Sequence, residues 1–381
     1  MRATLGGMTT VIKASDAAEF LALVPALAGY RPQRSLVLVL FRGKRTAGVM
    51  RYDLPDPGEV EAVASTTIGL ACKVDRVDGF AIVVYTDDRL QTGPGAPLAW
   101  TELVDALALR AHVCGMRVVE ALCVATDAWG SYTEGAARPI AEVAAREAGL
   151  PLALPADDQG SGASLPEADL AEKERVARAL VAIDDAAAVF LAAPPDFETQ
   201  ARPSLSTLDP RALAAMIALD DLPELFEDVL SWDPDALDAF SAAVLLWCLR
   251  RPALRDIALQ QWAGDIHTGE VALGAQLRWQ EGEEYPVELG ERFCGEGPRP
   301  HPARLHRARD VVRRVAAAGP RSDRPGPLAC AAWLSWALGG STHAGWYAER
   351  ALEIDAEHGL AQIVLSMCAA SHLPEWAFAR E

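Results

Sequence analysis

The sequence predicts an α/β N-terminal domain, a mixed and mostly parallel sheet with helices, followed by an α-helical C-terminal domain that contains a tetratricopeptide-like helix pair. Three observations carry this reading. Short apolar runs alternate with helix-period segments across residues 1–150. A Pro/Ala/Asp/Gly/Ser-rich stretch, residues 151–167, then interrupts the pattern as a linker. From residue 168 to residue 381 the spacing of apolar positions is helical.

The first seven residues read as a loose leader, and Met8 serves equally well as a start. Thr9 to Lys13 suits a short strand. Asp16 fits a helix N-cap with Glu19 as its capping-box partner. Phe20, Leu21, Val24 and Leu27 make the apolar face of that helix, and Gly29 ends it. Tyr30-Arg31-Pro32-Gln33-Arg34 is a polar turn. The strand opened by Ser35 is apolar from Leu36 to Phe41, so both of its faces should be covered. Arg42-Gly43-Lys44-Arg45 has hairpin length, which makes the next strand, Ala47 to Leu54, antiparallel to it. Pro55-Asp56-Pro57-Gly58 breaks that strand. A helix from Glu59 to Val74, a strand from Phe80 to Thr86, a helix from Leu98 to Cys114 and a strand from Arg117 to Ala125 follow. This alternation implies right-handed parallel crossovers.

Aspartates close three of these strands: Asp53, the pair Asp87-Asp88, and Asp127. If those strands run in one direction, their ends share one sheet edge with the start of the antiparallel strand at Ser35. Ligands of α/β proteins collect at such an edge. The candidate ligand-binding rim is therefore Tyr30, Arg31, Arg34, Ser35, Asp53, Asp87, Asp88 and Asp127, with Trp129 and Tyr132 as walls.

In the second half, Asp209-Pro210 and Asp233-Pro234 mark helix starts with proline at the first position. Leu237 to Leu249 and Ala253 to Trp262 read as helices, and the glycine-bearing stretch 264–302 as irregular and loop-rich. Pro327 to Leu338 and Ala344 to Ile354 form a helix pair around Gly339-Gly340. Its second helix resembles that of a tetratricopeptide repeat, but no second copy occurs at a fixed period.

The formal net charge of −18 repels phosphate backbones and anionic lipid, so nucleic-acid and membrane-surface roles are disfavoured. No run approaches the ~18 apolar residues of a membrane span. The seven cysteines show no CxxC spacing and read as small buried hydrophobes in a reducing cytoplasm. Cys294, His301 and His306 match zinc-ligand spacing poorly. Eight arginines between Arg299 and Arg324 read as a solvated helix face, or as neutralising acidic surface within the chain.

Gly29-Tyr30-x-Pro32-x-x-Ser35, Arg51-Tyr52-Asp53-Leu54-Pro55, Val83-Val84-Tyr85-Thr86-Asp87-Asp88 and Trp129-x-Ser131-Tyr132 together resemble the landmarks of an uncharacterised actinobacterial family of unknown function, the DUF4192 type. Ala332-Trp333-x-x-Trp336 and Arg350-Ala351-Leu352 extend the resemblance over most of the chain. It implies no activity, cofactor or catalytic residue. Members often carry a cysteine-rich loop after the Trp-x-Ser-Tyr element, whereas residues 133–138 here contain no cysteine.

Carboxylates gathered on a rim suit Mg²⁺, which prefers oxygen ligands and works with phosphate substrates. Arg31 and Arg34 suit an anionic group, and Tyr30, Tyr85 and Trp129 a planar ring. The plainer reading is that the aspartates cap turns and helices. Phosphate-loop, dinucleotide-binding and GxSxG patterns are absent, and no histidine lies in the first hundred residues to activate Ser35. The expectation is a cytoplasmic, non-catalytic protein that binds a small ligand or a protein partner. The alternative is a Mg²⁺-dependent enzyme acting on a nucleotide or phosphorylated small molecule. Neither reading assigns a cofactor or a catalytic residue.

Overall fold

The computed structural model describes residues 2–5, 8–11, 14–90, 98–135, 137–191 and 208–378. The chain divides into two compact units, with the break in sequence between Ser161 and Gly162.

The first unit opens with β1 (Arg2–Leu5), where the sequence suggested a loose leader, paired antiparallel with β2 (Met8–Val11), which overlaps the strand expected from Thr9 to Lys13; residues 12 and 13 lie outside the described residues. Helix α1 (Ala17–Ala28) follows. The Asp16 carboxylate accepts from the Glu19 amide at 2.8 Å, but the Glu19 carboxylate accepts from the Ser15 amide and hydroxyl. Only half of the expected capping box therefore forms. Gly29 ends α1 in the left-handed region, at φ 81°, which glycine adopts without a Cβ penalty.

Then come β3 (Ser35–Arg42), β4 (Arg45–Asp53), α2 (Val60–Lys73), β5 (Gly79–Tyr85), α3 (Thr101–Val113), β6 (Arg117–Val124), β7 (Ala128–Ser131), β8 (Ala137–Pro139) and α4 (Ala141–Ala148). The six strands β3 to β8 form one sheet in the order β4-β3-β5-β6-β7-β8. Strands β4, β5 and β6 do point the same way, as the crossovers require. The sheet is nonetheless not mostly parallel. The Gly43-Lys44 hairpin folds β3 between β4 and β5, antiparallel to both, and β7 and β8 return through short connections. Among the described strands of this sheet, only the β5–β6 ladder is parallel.

Two-sided burial explains the unbroken apolar run of β3. Leu36, Leu38 and Leu40 join Phe80, Ile82 and Val84 under Ile68 of α2 and Leu107 of α3. Val37, Val39 and Phe41 join Ala81, Val83 and Leu122 under Phe20 and Val24 of α1 and Val143 of α4. Burying each of these Leu, Ile, Val and Phe side chains contributes roughly 1.5–3 kcal/mol.

The second unit is helical: α5 (Leu170–Leu191), α6 (Pro210–Ala218), α7 (Leu222–Val229), α8 (Ala239–Leu249), α9 (Pro252–Ala263), α10 (Ile266–Gln280), α11 (Val287–Phe293), α12 (Pro302–Ala318), α13 (Pro325–Ala337), α14 (Ser341–Leu352) and α15 (Gly359–Ala369). Asp209 caps α6 as expected, whereas Asp233-Pro234 starts a single 3-10 turn and Asp238 caps the helix proper. The stretch 264–302 is not irregular, because α10 and α11 occupy much of it. Asp265 and Thr268 close a capping box at the start of α10. Gly269 does not break this helix. It lets the Gln261 side chain of α9 approach so closely that a Cβ would lie 2.0 Å from Gln261 Oε1.

The arginines of α12 tie their own unit together. Arg304 holds Glu227 through two bonds of 2.5 and 2.8 Å, Arg314 pairs with Glu172 at 2.8 Å, and Arg313 donates to the carbonyls of Gly162 and Ser164. That matches internal neutralisation better than a solvated face. Among the described residues, no helix is long and apolar enough to cross a membrane.

Candidate functional site

The register places the rim. Ser35 stands opposite Asp53 on one side and Tyr85 on the other. Tyr85 pairs with Val124, and Val124 with Trp129. Directly opposed residues share a face, so Asp53, Ser35, Tyr85, Val124 and Trp129 form one row on the face covered by α1 and α4. The predicted common edge of β3, β4, β5 and β6 is therefore present.

The chain reaches this row through a fixed turn. The Arg31 amide donates to the Asp157 carbonyl at 2.8 Å. The Gln33 amide donates to Gln159 Oε1 at 2.9 Å, and Gln159 Nε2 returns a bond to the Gln33 carbonyl at 3.0 Å. The segment expected to be a flexible linker thus pairs with the Tyr30–Arg34 turn. Arg34 has φ 44°, a left-handed conformation that costs a non-glycine residue about 1–3 kcal/mol. It sends its guanidinium to solvent, 3.8 Å from Asp87.

Ser35 is fully buried. Its hydroxyl donates to the Gln33 carbonyl at 2.6 Å and accepts from Arg51 Nε at 2.8 Å. The Arg51 side chain is 9% exposed, and its other end pairs with Asp53, whose side chain is 83% exposed. Tyr30 lies beside this pair, and burial raises its phenol pKa. Arg31 holds Glu147 of α4 through two 3.0 Å bonds. Tyr85 stands next to that pair; its burial, reinforced by the Glu147 charge, pushes its phenol well above the ordinary range and keeps it neutral.

The remaining aspartates serve turns. The Asp88 carboxylate accepts from the Thr86 hydroxyl at 2.9 Å. The Asp127 carboxylate accepts from the Leu90 amide at 3.2 Å, tying the turn after β5 to the turn after β6. Among the described residues, no three His, Cys, Asp or Glu side chains gather where they could hold a metal ion. Cys294, His301 and His306 form no such group either.

Trp129 and Tyr132 do not offer free rings at the rim. Trp129 is buried among Phe20, Val83 and Val143, with the Arg138 guanidinium 5.2 Å from its ring centre. Tyr132 packs on the opposite side, against Leu90 and Leu98, and donates to the Ala99 carbonyl at 2.5 Å. A residue following the row residue by three falls on the other face and out of line.

The rim expected from the sequence does not include Arg51, Glu147 or Gln159. Arg51 was detectable, since it precedes Asp53 by two positions on a strand and so shares its face. Glu147 and Gln159 come from beyond the last predicted strand, and no local pattern ties them to residues 31–33.

The site is thus a polar sheet edge, arginine–carboxylate pairs over a buried serine, in a mixed α/β unit. The chain belongs to the family described as a domain of unknown function, DUF4192, whose model matches residues 18–286, from α1 through α10. No curated protein and no solved structure matches the chain.

Proposed function

We propose that this chain is a non-catalytic binding protein that holds a small polar ligand on the rim formed by Tyr30, Arg34, Ser35, Arg51, Asp53 and Asp87. One observation carries this reading: Arg51 is buried against Ser35 and presents Asp53 outward. Such an arrangement holds a carboxylate in a fixed direction at a ligand-accessible edge. Arg34 and Asp87 add an exposed cation and anion nearby. The Ser35 proton is committed to a carbonyl, and a cation rather than a base faces its oxygen. Nucleophilic catalysis requires the opposite arrangement.

A Mg²⁺-dependent enzyme is the second reading. It rests on the shared edge of Asp53, Asp87, Asp88 and Asp127, but each carboxylate already has a partner in the protein. The helical half is proposed as a docking surface. Exposed Leu277 and Trp279 on α10 and Val287 on α11 favour that role. So does the packing of α14 on α13, in which Ala344, Ala348 and Ala351 are buried, a pair we read as tetratricopeptide-like. A cytoplasmic, reducing setting accords with seven unpaired cysteines, and the net charge of −18 accords with no nucleic-acid or lipid partner.

A thermal-shift screen against mono-, di- and triphosphate nucleotides, with and without Mg²⁺, tests the assignment. Metal-independent stabilisation lost in Asp53→Asn supports the binder. Stabilisation that requires Mg²⁺ and is lost in Asp53→Asn and Asp87→Asn supports the enzyme instead.

A further inference from the structure

The cysteines were expected to be buried, yet Cys72 and Cys114 are both free and exposed. Their positions are equivalent. Cys72 is the penultimate residue of α2, and Cys114 directly follows α3. Each helix leads from the end of one co-directional strand back to the start of the next, so the two run side by side in the same direction. They pack on each other over the same sheet face. Their C-terminal ends therefore meet at the sheet edge opposite Ser35, and there the two thiols interact as neighbours.

We propose that Cys72 and Cys114 are a reversible dithiol–disulfide modification site, oxidised by low-molecular-weight disulfides of the oxidised-glutathione type. One cysteine loses its proton and its thiolate attacks a sulfur of the oxidant. The oxidant's S–S bond breaks and one thiol leaves, giving a mixed disulfide. The second cysteine then attacks the protein sulfur of that mixed disulfide and expels the second thiol. In total, two protein S–H groups become one S–S bond, and two electrons leave with the two released thiols. The bond would staple the ends of α2 and α3.

The environment sets the conditions of this exchange. Partial burial and the neighbouring thiol raise the Cys72 pKa. Both sites also lie at helix C-termini, where the helix dipole disfavours a thiolate. The pair should therefore stay reduced and slow to react near neutrality, and react about tenfold faster per pH unit below its thiol pKa.

Reduced full-length protein is incubated with oxidised glutathione at about pH 8 and analysed by intact mass and peptide mapping. The expected result is a mass lower by two hydrogens, with the Cys72 and Cys114 peptides linked. C72S and C114S should each lose that linkage and retain a glutathione adduct at the remaining cysteine. C294S, which removes the third exposed thiol, should behave as the wild type. Stable adducts on both cysteines without a linked peptide would overturn the proposal. So would no reaction at either cysteine, or a two-hydrogen loss that persists in C72S.

Discussion

Arg51 Nε lies 2.8 Å from the Ser35 hydroxyl, and together the two residues close the end of the sheet where β3 begins and β4 finishes. A buried cation is costly unless its donors are satisfied. Here Ser35 takes one donor and Asp53 another. The rim is thus held by the strand register as well as by its loops.

Arg51→Met should lower the unfolding free energy by about 1–3 kcal/mol, because Ser35 and Asp53 each lose a charge-assisted bond. Arg51→Lys should recover only part of the loss, since a single ammonium cannot reproduce the guanidinium fork. Denaturant titration measures both. A wild-type midpoint for Arg51→Met would show that the pair contributes nothing.

Two glycines in neighbouring helices should respond in opposite directions. A Cβ at Gly326 would lie 2.3 Å from the Leu249 carbonyl oxygen, where α13 crosses the end of α8. Gly326→Ala should destabilise by about 1–3 kcal/mol through overpacking. A Cβ at Gly345 in α14 meets nothing within 4 Å, so Gly345→Ala should stabilise by about 0.5–1 kcal/mol. Paired thermal melts decide both.

His358 caps α15, accepting from the Ala361 amide, and faces Arg255, Asp256 and Asp355. Burial, aided by Arg255, lowers its pKa below the ordinary 6.5. In that window the unfolded chain binds more protons than the folded one, so stability rises with pH. The contribution is fully present above about pH 6.5 and is lost as the pH falls toward the depressed folded pKa. His306 on α12 is lowered too, by desolvation and then by Arg309, and adds the same sign. Unfolding free energies measured from pH 7.5 down to pH 5.5, above most carboxylate titration, should decline for the wild type and decline less for His358→Gln. An unchanged slope in His358→Gln would exclude this histidine as a source.

Much of the sheet unit was legible because its signals are local. The Gly43 hairpin, the apolar run of β3 and the helix–strand alternation located β3 through β6 to within about two residues, and with them the edge shared by Ser35 and Asp53. Ladder sense was harder to read. Co-directional strands need not be neighbours, and only the pairing shows that β3 lies between β4 and β5. Gly269 misled in the opposite direction, since a glycine at a close helix crossing and a glycine in a loop look alike in sequence. Within the site, the aspartates that end strands were found, but which of them serve turns depends on partners such as the Leu90 amide. Trp129 illustrates the same limit: whether an aromatic faces a ligand or the core depends on α1 and α4 packing over it.

The most direct measurement is isothermal titration of the best-stabilising nucleotide into wild type, Asp53→Asn and Arg34→Ala, with and without Mg²⁺. Saturable, metal-independent binding to the wild type is expected, with at least tenfold weaker binding to both variants, about 1.4 kcal/mol or more. Equal affinity in all three proteins, or no binding by any compound tested, would contradict a ligand site on this edge of the sheet.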